Sequence, residues 1–134
     1  MIRMIVKVSA VSAALIAGPA LASDADKADT PLGKAYMALL EPMQFAKIVG
    51  EECDEYSYDQ EKASTETQAF IESQMDEGTD PDALASISDY VSYDTIKADF
   101  GAWLEENNVA YGDTAALCVA GIGDEIVAQY LVAN

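Results

Sequence analysis

The sequence predicts an all-α fold: a single small helical domain of five or six helices around a buried C-terminal helix, with one disulfide bond. Apolar residues recur at helical spacing in several separate stretches, whereas no stretch alternates convincingly with the period of two that strands show. A capping residue followed by proline occurs twice, at Thr30-Pro31 and at Asp80-Pro81, and such pairs are typical of helix starts.

The N-terminal region is predicted to be a cleavable signal peptide over residues 1–22. It has a basic start, a short apolar stretch over 8–17, and small residues ahead of a cleavage point after Ala22. The apolar stretch is well below the roughly 20 residues that a membrane-spanning helix needs, which disfavours an anchor. We therefore expect export to the periplasm or beyond, a flexible segment over 23–30, and a helical domain over 31–134.

The first half of the domain is predicted to contain three helices. The first follows the first capping pair and ends or kinks at Pro42, where the apolar face changes direction. A second helix resumes at Phe45 and continues to about Tyr56. The third covers residues 60–76 with its apolar side chains on one face, and Gly78 is a typical C-terminal stop.

The second half is predicted to contain a fourth helix after Asp80-Pro81, a fifth after Asp94, and a last helix from Ala115 to about Val132, capped by Asp113 or Thr114. The last helix is apolar nearly all round, which is typical of a buried central element. The fourth and fifth helices place these apolar residues on one face each: Leu84, Ile87, Val91, Ile96, Phe100, Trp103 and Leu104. We expect Trp103 to be buried against the last helix.

The two cysteines, Cys53 and Cys118, are predicted to form a disulfide bond. In an oxidising compartment a lone pair of cysteines in a small domain favours this pairing, and two free buried thiols are the alternative. The two residues lie too far apart in the sequence to form a CxxC redox motif. Closing so long a loop is expected to stabilise the fold by roughly 4 kcal/mol, because it restricts the unfolded chain.

The charge of the chain is strongly negative. After removal of residues 1–22, five lysines remain against 24 acidic residues, a net charge of −19. A field of this sign repels nucleic acid and anionic lipid head groups and favours cationic partners. The alternative is that the acidic surface only keeps an exported protein soluble.

The residue types present exclude most enzyme chemistry. The sequence has no histidine, which removes the usual general base, Ser-His-Asp and Cys-His sites, and nearly all zinc and haem sites. No arginine follows Arg3, and neither a GxSxG motif nor a phosphate-binding glycine-rich loop occurs. We therefore expect neither an enzyme nor a cofactor.

Two acidic features have a functional and a structural interpretation. The loop over 76–82 carries four carboxylates that could bind calcium, but it lacks the EF-hand order, and Asp80 also suits a helix cap. Glu52 falls within an apolar helix face beside Cys53, where partial burial would raise its pKa and could make it a functional acid. Alternatively, Glu52 reaches solvent at the edge of that face or accepts a hydrogen bond from a tyrosine.

Several tyrosines are predicted near helix ends and loops, among acidic residues. Exposed tyrosines beside carboxylates suit recognition of a cationic protein surface. Tyrosines at the border of a small core produce the same pattern, so both interpretations stand. The candidate partner-binding residues are Glu52, Tyr56, Tyr58, Tyr90 and Tyr93, and Tyr111 has a similar setting.

A family resemblance rests on the run YDTIKADF over 93–100, followed by Trp103-Leu104 and by AALC over 115–118. These segments resemble small exported alphaproteobacterial proteins of unknown function, which implies export and a cysteine pair but no activity. In general plan the chain is also similar to the periplasmic HdeA-type acid-stress chaperones, which are small, helical and closed by one disulfide. The chain departs from that type in its wider cysteine spacing, its greater length and its lack of a lysine-rich tail.

Two functions from different classes follow from these observations. The first is an exported binding protein that recognises a cationic protein, as an immunity protein or a hydrolase inhibitor does. The second is a periplasmic stress chaperone that exposes apolar surface in acid. A structural or otherwise uncharacterised exported protein is a third alternative.

Overall fold

The structure is a computed structural model that describes residues 27–134. The predicted signal peptide and its cleavage point lie outside the described residues. Within the described part the chain is mostly helical, with six α-helices, a small two-stranded sheet and one disulfide bond. The prediction of an all-α domain is therefore confirmed.

The helices and strands alternate along residues 27–134 in a simple succession. They are α1 (Pro31–Glu52), β1 (Tyr56–Tyr58), α2 (Gln60–Asp76), α3 (Pro81–Ala85), a 3₁₀ helix (Ile87–Tyr90), α4 (Tyr93–Glu106), α5 (Thr114–Gly123), α6 (Glu125–Ala128) and β2 (Leu131–Ala133).

Helix α1 is the central element of the fold. Thr30 caps its start by accepting a hydrogen bond from the Gly33 N–H, as the sequence predicts. The helix contacts β1, α2, the 3₁₀ helix, α4, α5 and α6. Tyr36 and Phe45 are both buried, and at about 100° per residue they lie on opposite sides of the helix. Helix α1 is therefore covered on more than one side.

The predicted break at Pro42 is wrong, because α1 continues through this residue. Proline removes one backbone hydrogen bond from a helix interior and crowds the preceding turn. Here Met37 before it, and Met43 and Val49 after it, are buried. Packing on both sides of Pro42 compensates for the local cost, and the change in apolar phase reflects burial on two sides of one helix.

Helix α2 has the bounds that the sequence predicts. Asp59 caps its start, and its C-terminal turn closes around Gly78, whose φ is +89°. The Thr79 N–H donates to the Gln74 carbonyl and the Gly78 N–H to the Met75 carbonyl, which is a Schellman motif. Asp80 then caps α3 by accepting from the Asp82 N–H, so the second capping pair also begins a helix.

Helix α4 begins one residue before the predicted Asp94, because Ser92 supplies the cap by accepting from the Thr95 N–H. Ile96 and Trp103 are buried, and Phe100 and Leu104 are half-buried, as expected. The predicted loop follows.

The predicted single last helix over 115–132 is wrong. It divides at Asp124, whose extended backbone ends α5 and whose carboxylate caps α6 by accepting from the Ile126 and Val127 N–H groups. After α6 the chain forms β2, which pairs antiparallel with β1, with Ser57 opposite Val132. The last region is thus two short helices and a strand packed on α1. The sheet is too short to show a period-two pattern in the sequence.

The disulfide between Cys53 and Cys118 is confirmed, and it joins the end of α1 to α5 with a Cα–Cα distance of 5.8 Å. The two helices also approach closely at Gly121. A Cβ at this position would lie only 2.8 Å from Cγ1 of Val49, so glycine permits the contact. The core over 27–134 thus forms around α1, with Met43, Val49 and Val127 as its largest fully buried side chains.

Candidate interaction surface

The four predicted tyrosines lie on three different elements. Tyr56 and Tyr58 are on β1 and half-buried, with the exposed Ser57 between them. Tyr90 ends the 3₁₀ helix and is half-buried, whereas Tyr93, at the start of α4, is exposed. The structure therefore brings Tyr56 and Tyr58 together on one strand and places the other two on the segment that leads into α4.

Tyr58 borders the largest hollow in the described part of the protein, an open groove of ≈ 720 Å³ between α1 and α2. Burial, and then the neighbouring Asp59 carboxylate, raise the pKa of its hydroxyl above the usual value. The apolar part of the groove comes from Leu40, Met43, Ile71 and Met75, and its other lining residues are mostly polar. Tyr58 is thus a border residue of the core that also faces this groove.

Tyr90 lies beneath a cation. The Lys27 ammonium is 5.8 Å from the centre of its ring and 3.8 Å from an Asp89 carboxylate oxygen. Within residues 27–134 the Lys27–Asp89 pair is the one ion pair between side chains. The ring of Tyr90 is therefore already engaged by a cation of the same chain.

Glu52 is exposed at the end of α1. It borders a hollow of ≈ 290 Å³ whose wall includes Phe100, Leu104, Leu117 and the fully exposed Tyr111. An exposed carboxylate at the edge of an apolar face corresponds to the second of the two interpretations of this residue. The hollow places Glu52 beside Tyr111 and away from the strand tyrosines.

The acidic loop over 76–82 is organised as a link between two helices. Asp80 caps α3, and Glu77 accepts a hydrogen bond from the Gln74 side chain. Over residues 27–134, no group of three or more acidic or cysteine side chains is arranged to hold a metal ion.

Two partly buried polar contacts were not predicted from the sequence. The Glu41 carboxyl of α1 hydrogen-bonds with Asp99 of α4, and burial, this bond and the Asp99 charge together raise the pKa of Glu41 to about 7. Tyr130 donates its hydroxyl to Glu66 of α2, and burial and this bond raise the tyrosine pKa well above its usual value. Each contact joins distant segments, so no local pattern could have revealed it.

Acidic charge dominates the C-terminal region of the described chain. No basic residue follows Lys97, whereas six acidic residues do: Asp99, Glu105, Glu106, Asp113, Asp124 and Glu125. Asp124 is held by α6 and by the Trp103 indole N–H, which donates to it at 2.9 Å. The other charges in this region have no lysine of the described chain within ion-pair distance.

The same region exposes large apolar side chains, contrary to the expected burial of the last helix. Val119 is 71% exposed, Ile122 40% and Ile126 60%. Sequence reasoning missed them because an apolar helix without polar residues is typical of a core element. The combination of exposed apolar side chains with unpaired acidic residues distinguishes this surface from the groove beside Tyr58.

Comparison of the chain with protein-family models, with curated proteins and with solved structures found no match. No helix in the described range 27–134 is both long enough and apolar enough to cross a lipid bilayer.

Proposed function

We propose that this protein is an exported binding protein that recognises a cationic protein partner, in the manner of an immunity protein or a hydrolase inhibitor. The observation that supports the proposal most directly is the acidic surface that its own lysines leave unneutralised. All five lysines beyond residue 22 lie in the described part, and among them Lys27 alone pairs with a carboxylate there.

Such a surface acts over a distance. Unpaired carboxylates of one sign raise the local concentration of a basic partner and accelerate association, and salt screens the effect within about 10 Å at roughly 0.1 M. Exposed charges contribute more to the rate of association than to the lifetime of the complex. The function therefore predicts a specific kinetic signature.

The test starts with a pull-down from periplasmic extract, with the processed protein as bait, followed by surface-plasmon kinetics on the recovered partner. Raising the ionic strength should slow association much more than it accelerates dissociation. An association rate that does not change with salt would refute electrostatic recognition. Saturable binding to DNA or to anionic vesicles would overturn the partner class.

The alternative of an acid-activated chaperone is disfavoured by Glu41. Its pKa in the folded state is about 7, above the value of 4.5 for an unperturbed glutamate, so the folded state binds the extra proton between these pH values. Acidification through this window therefore stabilises the folded state relative to the unfolded one. A chaperone that opens in acid requires the opposite sign.

A further inference from the structure

A continuous apolar surface lies on the last two helices. We define the C-terminal apolar patch as Val119 and Ile122 of α5 and Ile126 of α6. Val119 and Ile122 are three residues apart in one helix and therefore share a face, and α6 packs against α5. Exposed apolar side chains that cluster in this way mark interaction surfaces on soluble proteins.

The patch adjoins a shallow hollow of ≈ 560 Å³ on α5. Its floor is formed by small residues, Ala115, Ala116, Ala120 and Gly123, and Val119 forms part of its wall. No residue of α5 carries a charge. A partner side chain can therefore enter the hollow without displacing a charged group, which would be costly to desolvate.

Acidic residues adjoin the patch. Asp113 lines the same hollow as Val119, Glu125 directly precedes Ile126, and Glu105 and Glu106 end α4 just before Asn107, which also lines the hollow. An apolar centre with a charged border is the usual arrangement of a protein interface. The border here is acidic throughout, since no lysine follows residue 97.

We propose that the C-terminal apolar patch is the docking centre for the cationic partner, and that the partner presents an apolar ridge flanked by Lys or Arg. This inference rests on the proposed function and specifies its site. Charge complementarity selects this occupant, because a second copy of the chain would bring two acidic borders together and an anionic membrane would be repelled.

The probe is a synthetic amphipathic helix of Leu and Lys, about 14 residues long and thus about four helical turns. Its control is a peptide of equal charge in which every Leu is replaced by Ser. Binding of both peptides to the processed protein is measured by titration calorimetry at low and high salt. We expect both to bind more weakly at high salt, and the Leu–Lys peptide to bind more tightly at each salt concentration.

The patch variant carries Val119→Ser and Ile122→Ser, and a second variant carries Ile126→Ser. The matched control is Met75→Ser on α2, another exposed apolar residue, at 58% exposure. We expect the patch variant to bind the Leu–Lys peptide about tenfold more weakly or worse, as for side chains at the centre of an interface, and the control to bind as wild type. Circular dichroism and the melting temperature verify that each variant remains folded.

The outcomes separate this inference from the proposed function. Equal affinity of the two peptides for the wild type, or an advantage of the Leu–Lys peptide that persists in the patch variant, overturns the docking site and leaves the proposed function standing. Absence of salt-dependent binding by either peptide overturns both. Sedimentation that shows dimers of the wild type but not of the patch variant assigns the patch to a second copy and also overturns the inference.

Discussion

Trp103 offers a quantitative test of how the last third of the chain is held on α1. Its side chain is only 7% exposed, and its ring centre lies 5.5 Å from that of Phe45 and 5.7 Å from that of Phe100. Its indole N–H donates to Asp124, the residue that ends α5 and caps α6. One side chain thus connects α1, α4 and the α5–α6 junction.

Replacing Trp103 by Ala removes both the aromatic packing and this hydrogen bond. We expect a loss of about 3–5 kcal/mol in the free energy of unfolding, from transfer and cavity terms for a large buried aromatic residue. Urea denaturation followed by circular dichroism measures the change, because the variant no longer contains tryptophan. An unfolding midpoint equal to that of the wild type would show that the indole is not part of the core.

Two further variants separate the packing from the polar contact. Trp103→Phe retains an aromatic ring but removes the N–H, and Asp124→Ala leaves the N–H without its acceptor and removes the cap. We expect Asp124→Ala to cost about 2–4 kcal/mol, the sum of a hydrogen bond to a charged group and a helix cap. Asp124→Asn retains the cap and should cost less. Equal losses in Asp124→Ala and Asp124→Asn would contradict the role of the cap.

Two other predictions follow from covalent and ionisable contacts. Mass spectrometry of unreduced, alkylated protein from the periplasm should find Cys53 and Cys118 oxidised, and Cys118→Ser should lower stability by up to roughly 4 kcal/mol and reduce the melting temperature clearly; two alkylated thiols in the native protein would contradict this. Glu41, which shares its hollow with Asp29, Lys34 and Asp99, should make the wild type lose stability as the pH rises from 4.5 to about 7, and Glu41→Gln should show a smaller loss over that range, whereas the exposed control Glu72→Gln should follow the wild type. Parallel profiles for the wild type and Glu41→Gln in unfolding experiments across this window would exclude the linkage.

Local chemistry determined much of the helical framework in advance. Thr30, Asp80 and Asp113 all cap helices, because a short oxygen-bearing side chain can reach an unpaired N–H of the first turn in any fold. Gly78 ends α2 because a positive φ costs glycine little. The disulfide was also predictable, since the chain has only two cysteines and export implies oxidation.

The candidate site was only partly predictable. The acidic character of the surface follows from composition, but the tyrosines chosen from the sequence are distributed over β1, the 3₁₀ helix and α4. The Glu41–Asp99 contact joins two helices, and its partners have no sequence relation that periodicity could detect. Pairing of this kind depends on how helices pack, which the local pattern of one helix does not contain.

Tertiary packing decided which helix lies at the centre. The sequence suggested a break at Pro42 and an uninterrupted buried helix over 115–132, yet α1 continues and the last region divides at Asp124. Burial on two sides compensates α1 for a proline, whereas Asp124 gains a cap and the Trp103 indole by leaving the helix. Both choices depend on neighbours distant in sequence, and the second leaves Val119 and Ile122 exposed, because only one side of the shortened α5 packs on α1.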